Sequence, residues 1–509
     1  MVQVDLQQEL DSRQQPPPDS QTLRRRDDGL LVYTGADGEI LIPSGEIIGI
    51  LSRTSGYTVI QLEETPDDAE TAYRLHTSAV EDADTELLDR HLVRQVPEFL
   101  QDGHELQIVV STKSGTGLAL KFWEAVVKPL LVLLAGEQQS KGASEDHHLL
   151  ITQSAQSVKD FARGRWARRH AAAEAEGSVP VPETIILLSG DGGVVDLLNG
   201  SDDETQSADA APISLPTIAL LPLGTANALF HSLHKPLYIS SAQDGAGAPA
   251  SPLALALRTL IRGRPAPLPS FRADFTPGSR LVSYSPNEGA EGSEESSISR
   301  HDTAVSHLYG AIVASHGFHA QLVWESDTPE YRRHGSSRFG MVAAELLRES
   351  HPYRADVSIS PPAGDANADV RTIKPPTAST THATSDVPST FSYILATLVS
   401  NLERTFTISP ASRPLENDLR LVHFGDVGGE RTMDIMKAAY DEGKHIDLPE
   451  VGYERVGGLT VRILEEDARW RKVCIDGTIV EIPQGGEMRV SRVEKALFGI
   501  LVDQSILTP

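Results

Sequence analysis

One cysteine, Cys474, stands in 509 residues, so an intrachain disulfide is impossible and a reducing compartment is the natural setting. Cations are scarce too: 45 Lys and Arg face 71 Asp and Glu, a formal charge of −26. Gripping a nucleic-acid backbone needs clustered cations, so nucleic acid is excluded as a partner, and general attraction to anionic lipid is disfavoured. No apolar run reaches the roughly 20 residues that span a bilayer, and the polar start has no signal-peptide pattern. These absences predict a soluble, cytoplasmic protein that visits a membrane surface only transiently and peripherally. Oligomeric state leaves no mark in the sequence.

What the chain does have is concentrated at Thr184 to Gly200, TIILLSGDGGVVDLLNG. The apolar run Thr184 to Leu188 is too short for an ordinary helix and reads as a buried strand. Gly190, Gly192 and Gly193 then flank one carboxylate, Asp191, and glycine lets backbone approach a ligand closely. Val194, Val195, Leu197 and Leu198 resume at helical spacing, so the turn sits at a helix N-terminus, whose free N–H groups suit phosphate. Thr217 to Phe230, TIALLPLGTANALF, repeats the arrangement. There Gly224 supplies bare backbone, Thr225 a hydroxyl, and Asn227 an amide able to bond locally or to a ligand. Two such turns predict neighbouring strands whose C-terminal ends face one crevice.

In chain order, residues 1–28 read as a disordered tail, with Pro16, Pro17 and Pro18 in a row. Residues 29–104 read as a small N-terminal β unit, because LLVY, EIIGIL and YTVIQL alternate between Gly, Asp and Ser, with a joining helix at Leu87 to Leu100. Residues 105–267 alternate strands and helices, which predicts a parallel sheet covered on both sides. Its expected parts are the strand Leu106 to Ser111, a turn Ser111 to Gly117, and a helix Leu118 to Leu134. A strand His148 to Gln153 follows, and Ala254 to Arg264 is the closing helix. Between them, Arg163, Arg165, Arg168 and Arg169 beside Trp166 read as a solvated helix face, and Ser201 to Ala211 as a polar insert. Residues 268–509 carry scattered short strands, at Leu308 to Val323, Tyr353 to Ile359, Phe391 to Val399, Leu419 to Phe424, Leu459 to Leu464 and Lys472 to Val480. These predict an antiparallel β-sandwich, with disordered insertions near 285–306 and 361–390. The fold class is thus α/β plus β, a parallel-sheet domain followed by an antiparallel β-sandwich, with a small N-terminal β unit.

SGDGGVVDLLNG followed by LLPLGTANAL resembles the two nucleotide-site signatures of the diacylglycerol kinase-like lipid kinases, and Ser189 with Leu198-Asn199-Gly200 is most similar to sphingosine (sphingoid long-chain base) kinases. The resemblance implies ATP and Mg²⁺ as cofactors and a lipid hydroxyl as acceptor. It implies that Asp191 acts as general base or helps hold Mg²⁺, and that Ser189, Gly190, Gly192, Gly224, Thr225 and Asn227 line the nucleotide. It puts STKSGTG in the place of an Asn-Pro-x-x-Gly-x-Gly loop, with Gly115 and Gly117 matching and Ser111 and Thr112 departing. Thr152 matches a phosphate-bonding threonine.

In the second half, Tyr331 to Phe339, YRRHGSSRF, reads alone as a basic solvated turn. It is also similar to a sphingosine kinase segment whose arginines reach nucleotide phosphate, which implies that role for Arg332 and Arg338; arginine's planar fork suits phosphate. Asp476 and Gly477 match an Asp-Gly-Glu turn set against the nucleotide, with Thr478 in place of Glu. Glu325 and Asp327 match carboxylates that grip the sphingoid amino and hydroxyl head, while Gln321 stands where Asp is frequent. The lipid tail is expected in an apolar pocket of the β-rich domain. Two alternatives remain open: a diacylglycerol or ceramide kinase, and a catalytically impaired lipid-binding form suggested by Ser111, Ala226 and Thr478.

Overall fold

Every residue of the strand Glu183–Ser189 is buried, as befits the interior of a parallel sheet, where both faces are covered and near-continuous Val/Ile/Leu runs are favoured. A computed structural model describes residues 22–507 apart from 27–29, 36–37, 66–67, 69, 137–147, 175–180, 201–214, 244–248, 287–297, 336, 363–368 and 377–388. Glu183–Ser189 pairs in parallel with Glu105–Val110 on one side and Thr217–Pro222 on the other. The sheet runs Arg264–Pro267, Gly499–Val502, Thr217–Pro222, Glu183–Ser189, Glu105–Val110, His148–Ile151. All neighbours are parallel except Arg264–Pro267, which runs antiparallel to Gly499–Val502.

The strand Gly499–Val502 corrects the expected boundary at 267. The chain builds its second domain and then returns, inserting this strand into the first domain's sheet, where Phe498, Ile500 and Val502 are fully buried. Four residues are too few to show a period, which is why the sequence hides it. The expected helix Leu118 to Leu134 forms as Ala119–Phe122, a wider π turn Trp123–Val127, and Lys128–Ala135. The widening falls just before Pro129, which lacks an N–H and crowds the preceding turn.

The helix Ser157–Glu174 also departs from expectation. Two of its four arginines leave the expected solvated face: Arg165 is 1% exposed, and both it and Arg169 donate to Oε2 of the buried Glu183 at 2.8 Å. The guanidinium of Arg165 also lies over the rings of Trp166 and Phe498. Arg163 and Arg168 remain exposed.

Around residue 23 the tail ends earlier than expected: Leu23 is fully buried and Arg24–Arg25 pairs with Leu30–Gly35. The N-terminal unit holds a three-stranded sheet and a four-stranded one. Its joining helix is shorter than expected, Thr85–His91, and is followed by the strand Leu92–Val93. Ile48, Leu51, Ile60 and Leu62 pack into the core of the α/β domain. Arg258, on the closing helix Pro252–Arg262, donates to the carbonyls of Ser44, Gly45 and Ile47, so this unit is docked rather than tethered.

The rest is a large antiparallel sheet. Phe271, Ala314, Ala355, Ile394, Leu421, Val461, Val473 and Met488, from strands spread along it, meet in one core, so the sheet folds over on itself. The expected strand Leu308 to Val323 is two strands, His307–Gly310 and Val313–Gly317, followed by the helix Phe318–Ser326. The break is Gly317, at φ +88°, where a Cβ would sit 2.7 Å from the Ser392 carbonyl oxygen. Both expected insertions contain ordered strands. Ile298–Ala304 pairs with Arg280–Pro286, and Arg371–Ile373 with Tyr353–Ser360. Backbone hydrogen bonds to a neighbouring strand hold them despite their polar composition. Residues 287–297, 363–368, 377–388 and the insert 201–211 lie outside the described residues. Among the described residues no helix is long and apolar enough to cross a membrane.

Candidate active site

Three small-residue turns meet at the C-terminal ends of adjacent parallel strands. The first, Ser111 to Gly117, is stitched to its neighbours by hydroxyls. Thr112 N donates to Thr152 Oγ1 at 3.0 Å and Thr112 Oγ1 to the Thr152 carbonyl at 2.9 Å. Ser114 Oγ lies 2.9 Å from Ser111 Oγ and 3.0 Å from Ser189 Oγ. Ser111 and Thr112, which depart from the resembled Asn-Pro, therefore act as staples. Thr152 and Ser189 are buried, so their hydroxyls serve these turns. Gly115 has φ +53°, and a Cβ there would lie 2.4 Å from the Leu223 carbonyl oxygen, so only glycine lets this turn lie on the next.

The Gly190 and Gly224 turns are packed backbone to backbone: a Cβ on Gly224 would sit 2.4 Å from Gly190 Cα, and one on Gly190 2.7 Å from Gly224 Cα. Asn227, at φ +52°, holds the second turn shut, its Oδ1 accepting from Gly224 N at 2.9 Å and its Nδ2 donating to the Gly224 carbonyl at 3.0 Å. The local use of that amide is the one realised. Exposed beside this cradle are Lys113, Gly117, Thr225 and Gly192, where an added Cβ would meet nothing within 4 Å.

Asp191 begins the helix Asp191–Leu198 and ties the two turns together. Its Oδ2 accepts from Ala228 N at 2.7 Å and its Oδ1 from Leu229 N at 3.1 Å, at the start of the helix Ala228–Gln243. Burial pushes its carboxyl up to about 6, against those two N–H groups, which favour the ionised form. A carboxyl held there accepts a proton more readily than a free aspartate and is still largely ionised at neutral pH.

From the second domain comes Asp476, in the turn between Lys472–Ile475 and Thr478–Glu481. Its carboxylate is consumed by backbone: Ala311 N and Val313 N each donate at 2.6 Å, and Ile312 N at 3.1 Å. Burial, helped by the charge of Asp191, pushes it up to about 7 against these bonds. Asp476 and Asp191 are therefore close enough to sense each other, but Asp476 props the segment 311–313 rather than presenting a free carboxylate. Gly477 follows at φ +90°, open to its surroundings.

The two arginines make no direct contact with Asp191, and each is engaged close to its own helix. Arg332 forms a two-pronged pair with Asp327, Nε to Oδ1 at 3.0 Å and Nη2 to Oδ2 at 2.6 Å. Arg338 lies with its guanidinium 4.9 Å from the Phe339 ring, and its buried Nε has no hydrogen-bond partner among the described residues. Among those residues neither arginine has a hydrogen bond or ion pair to Asp191, Gly190 or Thr225. In so acidic a chain the nearest carboxylate, Asp327, claims Arg332. Glu325 is likewise engaged, accepting from Gln321 Nε2 at 2.7 Å and Arg469 Nε at 3.0 Å. Beside the helix Phe318–Ser326 a small half-open pocket is lined by Phe318, Leu346, Leu347 and Tyr353 together with Ser350, His351, Ser392 and Thr432.

Sequence alone marks the first turn by its glycines and passes over Lys113 and Ser114. It also treats Asn199 merely as part of a signature, although an amide directly after a helix is a recognisable signal. Residues 105–256 match the family model described as the diacylglycerol kinase catalytic domain, a family of lipid kinases. No curated protein matches the chain. Among solved structures, a candidate diacylglycerol kinase from Bacillus anthracis str. Sterne is 12% identical, with a TM-score of 0.47, covering 79% of this chain and 96% of its own. A diacylglycerol kinase from the same organism is 12% identical, with a TM-score of 0.42, covering 79% of this chain and 98% of its own.

Proposed function

We propose that the protein is an ATP-dependent lipid kinase that phosphorylates a primary hydroxyl, the acceptor suggested by the Tyr331 to Phe339 signature being a sphingoid long-chain base. The observation that carries this reading is the union of three small-residue turns around Asp191, within a segment that matches a lipid-kinase catalytic domain. Phosphoryl transfer asks mainly for alignment and charge screening. Bare, exposed backbone at Gly117 and Gly192 leaves room for a triphosphate beside the packed Gly190 and Gly224 turns, with the Thr225 hydroxyl and Lys113 alongside. Among the described residues no group of three His, Cys, Asp or Glu could hold a metal ion. Magnesium would accompany the nucleotide and screen its phosphate charge.

In this reading Asp191 takes the proton of the lipid hydroxyl as its oxygen bonds to the γ-phosphorus and ADP leaves. A general base of this kind contributes about 10²- to 10⁴-fold in rate. Arg332 would reach the phosphates by releasing Asp327 and Arg338 by leaving the Phe339 ring, and the lipid tail is assigned to the β-rich domain. The acceptor is drawn transiently from a membrane surface.

A second reading, a diacylglycerol or ceramide kinase, draws on one specific observation: Glu325 and Asp327 are already paired with arginines, leaving neither carboxylate free for an amino head. Radiolabelled ATP offered with sphinganine, phytosphingosine, diacylglycerol and ceramide tests both. Label on the sphingoid bases, lost in Asp191→Asn, is expected. Label on diacylglycerol or ceramide alone selects the second reading. No label on any lipid, with calorimetry showing no ATP binding, overturns the kinase and favours a lipid-binding protein.

A further inference from the structure

The end of the Asp191 helix reaches into the second domain. Asn199, its C-terminal cap, turns its amide edge-on to the backbone of Tyr309. Its Oδ1 accepts from Tyr309 N at 2.8 Å, and its Nδ2 donates to the Tyr309 carbonyl at 2.8 Å and to the Val195 carbonyl at 2.8 Å. One planar side chain thus imitates a strand neighbour and satisfies both polar groups of a buried residue across the domain boundary. Two residues further on, the N–H groups of Ala311, Ile312 and Val313 converge on Asp476. Gly310, between them, has no space for a side chain: a Cβ would lie 2.4 Å from the Phe271 ring and 3.0 Å from Asp476 Oδ2.

We propose that Asn199 is a positioning residue that fixes the segment 309–313, and through it Asp476, against the Asp191 turn, so that the two domains present one registered site. The proposal rests on the kinase reading for its catalytic consequence, but its structural half stands on these contacts alone. A chain of bonded parts runs without a gap: Asp191, its helix, Asn199, Tyr309, the 311–313 amides, Asp476. A strong constraint is needed here because, among the described residues, Asp476 makes no hydrogen bond to the α/β domain itself. A second link, Ser232 Oγ donating to the Asn401 carbonyl and accepting from Asn401 N, both at 2.9 Å, ties the Ala228–Gln243 helix to the second domain without a hydrogen bond to 309–313, the nearest tie being Leu398 N to the Ile312 carbonyl three residues away. It is therefore the natural control.

Hydrogen–deuterium exchange and steady-state kinetics on the full chain test this. In Asn199→Ala, exchange should quicken at Tyr309 and spread to Ala311, Ile312 and Val313. In Ser232→Ala it should quicken at Asn401 and leave 309–313 unchanged. With the best acceptor lipid, kcat of Asn199→Ala should fall about a hundredfold, the usual consequence of misplacing reacting groups by about 1 Å, while the KM for ATP holds. Asn199→Asp keeps the acceptor for Tyr309 N but cannot donate, and should show the same pattern if the alanine variant does not fold. Quickened exchange confined to Tyr309, or an unchanged kcat despite quickened exchange through Val313, overturns the proposal. So does failure of both variants to fold, because a boundary link is not a core. If the unaltered protein labels no lipid, the kinase reading fails while the exchange results still decide the link.

Discussion

Replacing Glu183 with glutamine should be the most damaging single-atom change in the α/β domain. Glu183 has no exposed side-chain surface, and one of its oxygens takes hydrogen bonds from two guanidinium groups, Arg165 at 1% exposure and Arg169 at 10%. Removing one partner of a buried pair costs about 3–5 kcal/mol, because the charge left behind cannot recover its hydration. Here two cations are left, which argues for the upper end; the charge of Glu105 still acts on Arg165, which argues for the lower. A loss of about 3 kcal/mol is the working expectation, or about 6–12 °C in melting temperature at about 2–4 °C per kcal/mol for a domain of this size. Urea unfolding followed at Trp166, which lies under the Arg165 guanidinium, reads the transition of this domain. Replacing all three residues with apolar ones of similar volume should recover most of the loss, since well-packed apolar groups match or exceed buried ion pairs. A Glu183→Gln midpoint within about 0.5 kcal/mol of the parent, the range of ordinary surface changes, would refute the view that this charge is dehydrated and irreplaceable.

Asp191 should make activity and stability respond oppositely to acid. Its folded-state value is raised to about 6, so its contribution to stability is full below the unfolded value of about 4 and is lost as pH rises through about 6, whereas kcat/KM falls as pH drops through the same window; Asp191→Asn should abolish the activity and remove one proton's share of the stability slope, checked by pH-stepped urea titrations. Gly224→Ala must push a methyl against Gly190 Cα, and should weaken ATP binding at least tenfold by calorimetry while the separate second-domain core melts unchanged. Arg258→Ala removes the donor to three carbonyls of the N-terminal unit, so limited proteolysis should release that unit at protease levels that leave the parent intact.

The parallel sheet and its turns are legible because their cues are local: a buried strand shows as Thr184 to Leu188, and a turn with no room for a Cβ shows as Gly190 or Gly224. What is not legible depends on partners distant in sequence. Arg165 reads as solvated until Glu183, eighteen residues on, is seen to be fully buried beneath it. Arg371–Ile373 reads as disordered until Tyr353–Ser360 offers it an edge. At the site, the resemblance singles out Arg332 and Glu325, but their pairing with Asp327 and Arg469 follows only from the fold. Asn227 and Asp476 carry signatures that mark them out, yet both spend their polar atoms on backbone, a use that no motif distinguishes from contact with a ligand.

The strand Gly499–Val502 has a consequence for how the molecule is made. A ribosome that has delivered everything through the Arg264–Pro267 strand has still not delivered the piece that lies between it and Thr217–Pro222, and the whole of another domain must be synthesised first. The α/β half thus waits, with a slot in its sheet, for Gly499–Val502 to emerge. A premature stop shortly before Gly499 would spare every residue assigned to substrate and still leave that slot unfilled.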